Sequence, residues 1–356
     1  MLAAVWHGPN DLRLENRPLP KVLPGTVLVK VEACAICGSD LRIMGDGNSR
    51  ISPPQILGHE IAGEIVKLGD GVKNYSLGDR VSTGADVPCG NCNHCRAGRP
   101  NCCDTNLAIG YQFEGGFAEY ILLDSLVVKY GPMKKFNKNL SWNNASLAEP
   151  LACCINGYER AFYDKDMGGT IVIFGAGPIG LMLLMLGKNY YNADQIVIVE
   201  PSKIRRQMAS QLGADLVIDP VDSDPVQSVM DFTNHQGANL IFTACPVVKT
   251  HTQAIEMVAK RGVVNLFGGI PKTDLPISLL SNFIHYREAY VTGSHGSTPK
   301  QHSTALDLIE KKVIDISKIV SNTVSLSKIH DGFAIASSGN SAKVIINPGM
   351  AINHEN

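Results

Sequence analysis

The sequence predicts an α/β protein of two domains, a mostly-β domain joined to a doubly wound domain built on a parallel sheet. Two observations carry this expectation. The chain has 356 residues, long for one hydrophobic core, since domains cluster around roughly 100 to 200 residues. Its texture also changes near Thr170, from short β-type runs separated by Gly, Pro and Asp turns to an alternation of strand and helix patterns.

The elements follow in order. The β-rich part carries runs at 27–31, 60–66 and 117–123. From Thr170 the pattern reads as a strand at 171–174, a helix through 181–190, a strand at 195–200, a helix at 203–212 and a strand at 216–218. Strands at 239–242 and 263–267 follow, with a helix near 250–260 between them. Such alternation implies parallel strands joined by helical crossovers. A helix near 303–311 precedes a last strand at 342–346 that can return to the first domain. The expected domains are therefore 1–151 with 290–356, and 152–289. Neither an internal repeat nor a low-complexity segment interrupts them.

Composition excludes several function classes. Lys plus Arg (32) nearly cancels Asp plus Glu (33), and no basic stripe tracks a phosphate backbone or an anionic membrane. Nucleic acid and membrane are not expected partners. The first residues lack the basic region and apolar core of a signal peptide. The longest apolar stretch, 171–186, is broken by Gly175, Gly177, Pro178 and Gly180, so it reads as strand, turn and helix rather than a membrane span. A cytoplasmic protein is expected. There, ten cysteines point to metal rather than disulfides.

The cysteine spacing is regular: Cys89, Cys92 and Cys95, then the adjacent pair Cys102 and Cys103. Four thiolates on short loops suit a closed tetrahedral structural zinc, in a lobe at about 86–105 that gains order from the metal. Cys102 competes with Cys103 for the fourth place, and His94 is read as a loop residue. A second, dispersed constellation is Cys37-Gly-Ser39-Asp40, Gly58-His59-Glu60 and Glu149-Pro150. A catalytic zinc needs about three protein ligands of mixed type and an open position, which Cys37, His59, Glu60 and Glu149 can supply. Each fragment alone has a plain reading, a core cysteine or a helix start at Glu149.

The third constellation is Gly175-Ala-Gly177-Pro178-Ile179-Gly180, after a strand and before a helix, with Glu200 ending the next strand. The glycines allow a tight turn and close approach to a pyrophosphate, which the helix N-terminus attracts. Glu200 can accept both ribose hydroxyls and repels a 2′-phosphate, which favours NAD over NADP.

Together these residues resemble the zinc-containing medium-chain dehydrogenase/reductase family, over essentially the whole chain. Gly58-His59-Glu60 with Gly63, Gly69 and Val72 is similar to its zinc signature, as are Gly78-Asp79-Arg80-Val81 and Gly115-Gly116-Phe117-Ala118-Glu119-Tyr120 to its recurring segments. Ala148-Glu149-Pro150-Leu151-Ala152 looks more like the sorbitol (L-iditol) and galactitol-phosphate dehydrogenase branch than like threonine dehydrogenases. The resemblance implies a GroES-like catalytic domain, a Rossmann coenzyme domain and a homo-oligomer, dimer or tetramer. It implies catalytic zinc on Cys37 and His59, with Glu60 or Glu149 completing the shell directly or through water. It gives structural zinc to Cys89, Cys92, Cys95 and Cys103, and NAD to Gly175 through Gly180, Glu200 and Arg205. Leu266, Phe267, Gly268 and His295 are expected near the nicotinamide or substrate.

The implied reaction is zinc-assisted hydride transfer from the CH–OH group of a polyol to NAD, with Ser39 beginning the proton relay. Arg42 departs from the family pattern, because a relay histidine often stands there and a guanidinium effectively never gives up a proton. Arg42 is thus a candidate for steadying the cofactor ribose or a nearby carboxylate, or else for binding an anionic substrate group such as phosphate or carboxylate. A phosphorylated or acidic polyol, threonine or a simple alcohol would suit the same sites. A non-catalytic NAD-binding protein would have no need of an open metal site.

Overall fold

The nine-residue strand Val27–Ala35 is the hub of the first unit, and only Lys30 and Glu32 along it escape full burial. It pairs antiparallel with Glu60–Leu68, with Tyr120–Leu123 along its first half and with Lys343–Asn347 at its last residues. These strands belong to a seven-stranded sheet that also holds Arg80–Thr83, Met133–Lys135 and Val320–Ser325. The structure, a computed structural model, describes residues 1–165, 167–270 and 276–350. It divides into two units: residues 1–152 with the segment from 296 onward, and residues 153–295.

The second unit is a six-stranded parallel sheet in the order Leu216–Ile218, Gln195–Val199, Thr170–Phe174, Ala238–Thr243, Val258–Leu266, Tyr290–Gly293. Every residue of Thr170–Phe174 is buried, as expected of a parallel strand covered on both faces. The chain leaves this central strand first to one side and then to the other, which opens a crevice at the carboxyl ends of Thr170–Phe174 and Ala238–Thr243. Helix Pro178–Asn189 buries residues 180 to 187 without a break, so the longest apolar stretch divides into strand, turn and core helix. Among the described residues no helix is long and apolar enough to cross a membrane.

The structure departs from the sequence pattern in a few places. Tyr290–Gly293 pairs with Val258–Leu266 and so belongs to the parallel sheet, which puts the unit boundary after His295 rather than before Tyr290. The strand expected from 263 begins at Val258 and bends at Arg261, whose φ is 58°. The strand expected from 117 begins at Tyr120. Helices Gly38–Asp46 and Pro225–Phe232 occupy segments where no helix was expected, since each presents only two buried residues to the core.

Candidate active site

Cys37 stands just past the hub strand, at the N-cap of helix Gly38–Asp46, where its N–H donates to Asp40 Oδ2 at 2.9 Å. His59 and Glu60 lie at the start of Glu60–Leu68, whose register sets Glu60 opposite Ala35. The turn into them requires Gly58: its φ is 91°, and a Cβ there would lie 2.7 Å from Cys34 Sγ and 3.0 Å from the Phe117 ring. The potential ligand atoms of Cys37, His59 and Glu60 lie within 4.8 Å of one another. Glu149, in the first turn of helix Ala148–Arg160, is outside that cluster but buried and electrostatically coupled to it.

Burial above all, with Glu60 and Asp86 adding to it against His59 and Lys343, raises the Glu149 carboxyl to about 7. Burial disfavours the His59 charge as well, but Asp40, then Cys37 and Glu149, outweigh it and raise the imidazole well above its usual range. Lys343 Nζ is buried between Glu60 Oε1 and the Ile36 carbonyl, 2.9 Å from the latter. The register that puts Ile345 against Ala35 carries Lys343 to this spot.

These residues fit a divalent cation. Cys37, Asp40, Glu60 and Glu149 outnumber the one ammonium among them, and buried Glu60 Oε2 lacks a hydrogen-bond partner. His59 Nδ1 lies 3.6 Å from Asp40 Oδ1, while Nε2 lies 3.5 Å from Ser39 Oγ. A ring oriented by a carboxylate behind it is the usual support of a metal-ligating histidine.

The cysteine lobe passes a stricter test. Four sulfurs about 2.3 Å from a tetrahedral zinc stand roughly 3.8 Å apart. Here Cys89 and Cys95 Sγ are 4.0 Å apart, and Cys92 and Cys103 Sγ 3.9 Å. Burial pushes the Cys103 thiol up, but backbone N–H groups of Cys89, Asn106 and Thr105 outweigh it and bring it down to about 6. Cys103 therefore completes the foursome, and Cys102 is exposed outside it.

In the second unit the glycine loop leaves Thr170–Phe174 at the open crevice. A Cβ on Gly180 would sit 1.8 Å from the Gly175 carbonyl oxygen, so helix and turn meet there without a side chain between them. The helix begins at Pro178 after Gly177 with no side-chain cap, leaving its first N–H groups for an anion. Glu200, buried past Gln195–Val199, accepts from Ala176 N at 2.7 Å and Ser202 N at 2.8 Å. Arg205 Nη1 reaches within 3.9 Å of a Cβ position on Gly177. Leu266 ends its strand, the Phe267 ring turns back onto Phe242, and Gly268 N donates to Thr243 O at 2.7 Å. These segments share the crevice end of the sheet. The His295 carbonyl accepts from Asn156 Nδ2 at 3.2 Å.

Residues 23–131 match the alcohol dehydrogenase GroES-like domain and residues 178–311 the zinc-binding dehydrogenase domain. The chain is 32% identical to an L-threonine 3-dehydrogenase of Pyrococcus furiosus, over 92% of each chain. It is 27% identical to a sorbitol dehydrogenase of Halalkalibacterium halodurans, over 98% of each. The structure is similar to that of a zinc-binding dehydrogenase from Sinorhizobium meliloti bound to NADP, with a TM-score of 0.90, 29% identity and coverage of 98% and 99%.

The chain belongs to the zinc-containing medium-chain dehydrogenase/reductase family. This dehydrogenase is an oxidoreductase acting on CH–OH groups, with zinc and a nicotinamide dinucleotide as cofactors, a GroES-like domain in its first unit and a Rossmann sheet in its second. Two neighbours of the dehydrogenase site carry no motif that sequence reasoning could use. Lys343 lies far from the site in sequence, and its strand reads as plain core. Tyr111 sits with its ring 6.2 Å from that of His59; burial raises its hydroxyl pKa on balance, against His59 and a hydrogen bond with Ser39.

Proposed function

We propose that the chain is an NAD-linked polyol dehydrogenase of the sorbitol (L-iditol) 2-dehydrogenase type, oxidising a secondary hydroxyl to a ketone. The buried Cys37, His59 and Glu60 cluster with Glu149 beside it carries the reading, because a mixed set on a GroES-like domain suits a metal with an open position. Cys37 and His59 hold the catalytic zinc, and Glu60 or Glu149 completes its shell. When bound, the metal supplies Lewis-acid polarisation of a hydroxyl. Asp40 orients the His59 ring. Ser39, 3.5 Å from His59 Nε2, receives the hydroxyl proton, and Tyr111 beside it offers the next hydroxyl outward in place of Arg42.

In the second unit, Gly175 through Gly180 hold the pyrophosphate, with Pro178 and Ile179 in the first turn of the helix. Glu200 takes the ribose hydroxyls with lone pairs its two backbone bonds leave over, and Arg205 lies beside it. The exposed edge strand Tyr290–Gly293, with Tyr290 half exposed, supports assembly as a homodimer or tetramer. A cytoplasmic location fits the same reading.

The identity to threonine dehydrogenases favours a second reading, oxidation of the secondary hydroxyl of an amino acid. One screen separates the two. Purified zinc-loaded protein is assayed at the NADH absorbance with polyols, amino alcohols including threonine, and primary alcohols. Specificity constants highest for polyols are expected; highest values for threonine would replace the first reading with the second.

A further inference from the structure

We infer that Arg42 and Arg50 form a subsite for an anionic group of the substrate, so that the natural polyol carries a phosphate or carboxylate away from the oxidised carbon. The inference rests on the polyol reading. Both arginines belong to the first unit and both are exposed. Arg42 stands one turn after Ser39 on helix Gly38–Asp46, and residues three apart share a helix face. Its guanidinium folds back over the first turn, with Nη1 3.8 Å from a Cβ position on Gly38, between Cys37 and Ser39 in the chain. Arg50 lies in the turn that follows the same helix. Its guanidinium lies over the Tyr111 ring, 5.3 Å from the centroid, and Tyr111 in turn packs against His59. Each cation thus stands next to the group that must take the proton of the reacting hydroxyl, Arg42 over the turn that carries Ser39 and Arg50 over Tyr111.

Neither guanidinium pairs with a carboxylate among the described residues, although Asp46 stands one turn beyond Arg42; besides Tyr111, the Arg50 guanidinium meets the neutral Asn106 carbonyl. Elsewhere in the same unit Arg13 pairs with Asp11 and Arg17 with Glu15. A planar fork of donors without a counter-ion matches phosphate or carboxylate, and Tyr111 stiffens the second fork by stacking.

The test measures kcat/KM for a neutral polyol, its terminal monophosphate and the matching aldonic acid, in wild type, Arg42→Ala, Arg50→Ala and Arg42→Lys. The wild type should prefer one anionic form over the neutral one by about ten-fold or more at low salt, with the preference shrinking as ionic strength rises. The anionic-to-neutral ratio should fall about ten-fold in either alanine variant and recover in part with Arg42→Lys. The monophosphate arm against the aldonate arm identifies the anion. Equal constants for neutral and anionic polyols, or a ratio that the substitutions leave in place, would overturn the subsite while the polyol reading stands. Turnover of threonine with none of any polyol would overturn that reading itself.

Discussion

Lys343 and Glu60 form a fully buried ion pair in which the ammonium also donates to the Ile36 carbonyl. Burial alone would lower the Lys343 pKa, yet the Glu60 carboxylate raises it on balance, so the lysine stays charged. Removing one partner of such a pair strands the other in a low-dielectric interior. Lys343→Met should therefore cost about 3 to 5 kcal/mol of stability, while Lys343→Arg should retain most of it. Denaturant titration of the zinc-loaded protein checks this. A Lys343→Met variant within about 1 kcal/mol of wild type would contradict the account.

The motifs legible from spacing alone share one property, that their members are close along the chain, whereas the dispersed Cys37, His59, Glu60 and Glu149 set was legible only through its combination and the family resemblance. Cys89, Cys92 and Cys95 announce a metal by spacing, and the glycine loop announces a dinucleotide because strand, turn and helix adjoin it. Lys343 could not be read this way, because only antiparallel pairing of Lys343–Asn347 with the hub strand carries it to Glu60. Tyr111 and Arg50 stayed silent for the same reason. Helix Pro225–Phe232 did carry a start signal, Asp224 capping Val226 and Gln227 with a proline after it, but three other Asp and Ser residues around it disguised the cap as loop.

The cysteine lobe separates two adjacent residues. Cys103 lies with Cys89, Cys92 and Cys95, whereas Cys102 is exposed. Cys103→Ser or Cys92→Ser should lose one zinc per chain and lower the unfolding temperature without removing the second zinc. Cys102→Ser should keep both. Metal analysis of the three purified variants decides it, and a Cys102→Ser protein with a single zinc would reverse the assignment.

Glu200 has two tasks at once. Its carboxylate fixes the Ala176 N–H of the glycine loop, and in the proposed function it also takes the coenzyme ribose. NAD should be preferred over NADP in the wild type, by ten-fold or more on an order-of-magnitude view of a charge-assisted pair. Glu200→Ala should narrow that preference and also weaken NAD, because the loop loses its anchor. Fluorescence titration of both coenzymes against both proteins measures it, and equal wild-type affinities would reject the role.

His302 sets a pH dependence that owes nothing to coenzyme or substrate. It is fully buried on helix Pro299–Glu310, and its Nε2 lies 3.2 Å from Ser82 Oγ. That hydroxyl already donates to the Ala145 carbonyl at 2.8 Å, so the ring nitrogen must be the donor, which leaves Nδ1 as a lone pair with no partner. Burial, with Lys134 adding to it against the hydrogen bond that the ring donates to the Ser82 backbone, lowers the imidazole from 6.5 to about 4. Below pH 6.5 the unfolded chain takes up a proton here that the folded chain refuses until about pH 4. The contribution is therefore fully present above pH 6.5 and is lost as pH falls to about 4, on the order of 3 kcal/mol in all. Loss of zinc in acid would steepen the same curve, so the comparison is with His302→Gln, which keeps both metal sites and a donor for Ser82. Unfolding free energies measured from pH 7.5 to 4 should fall less steeply for the variant, and two parallel curves would show that His302 does not carry the effect.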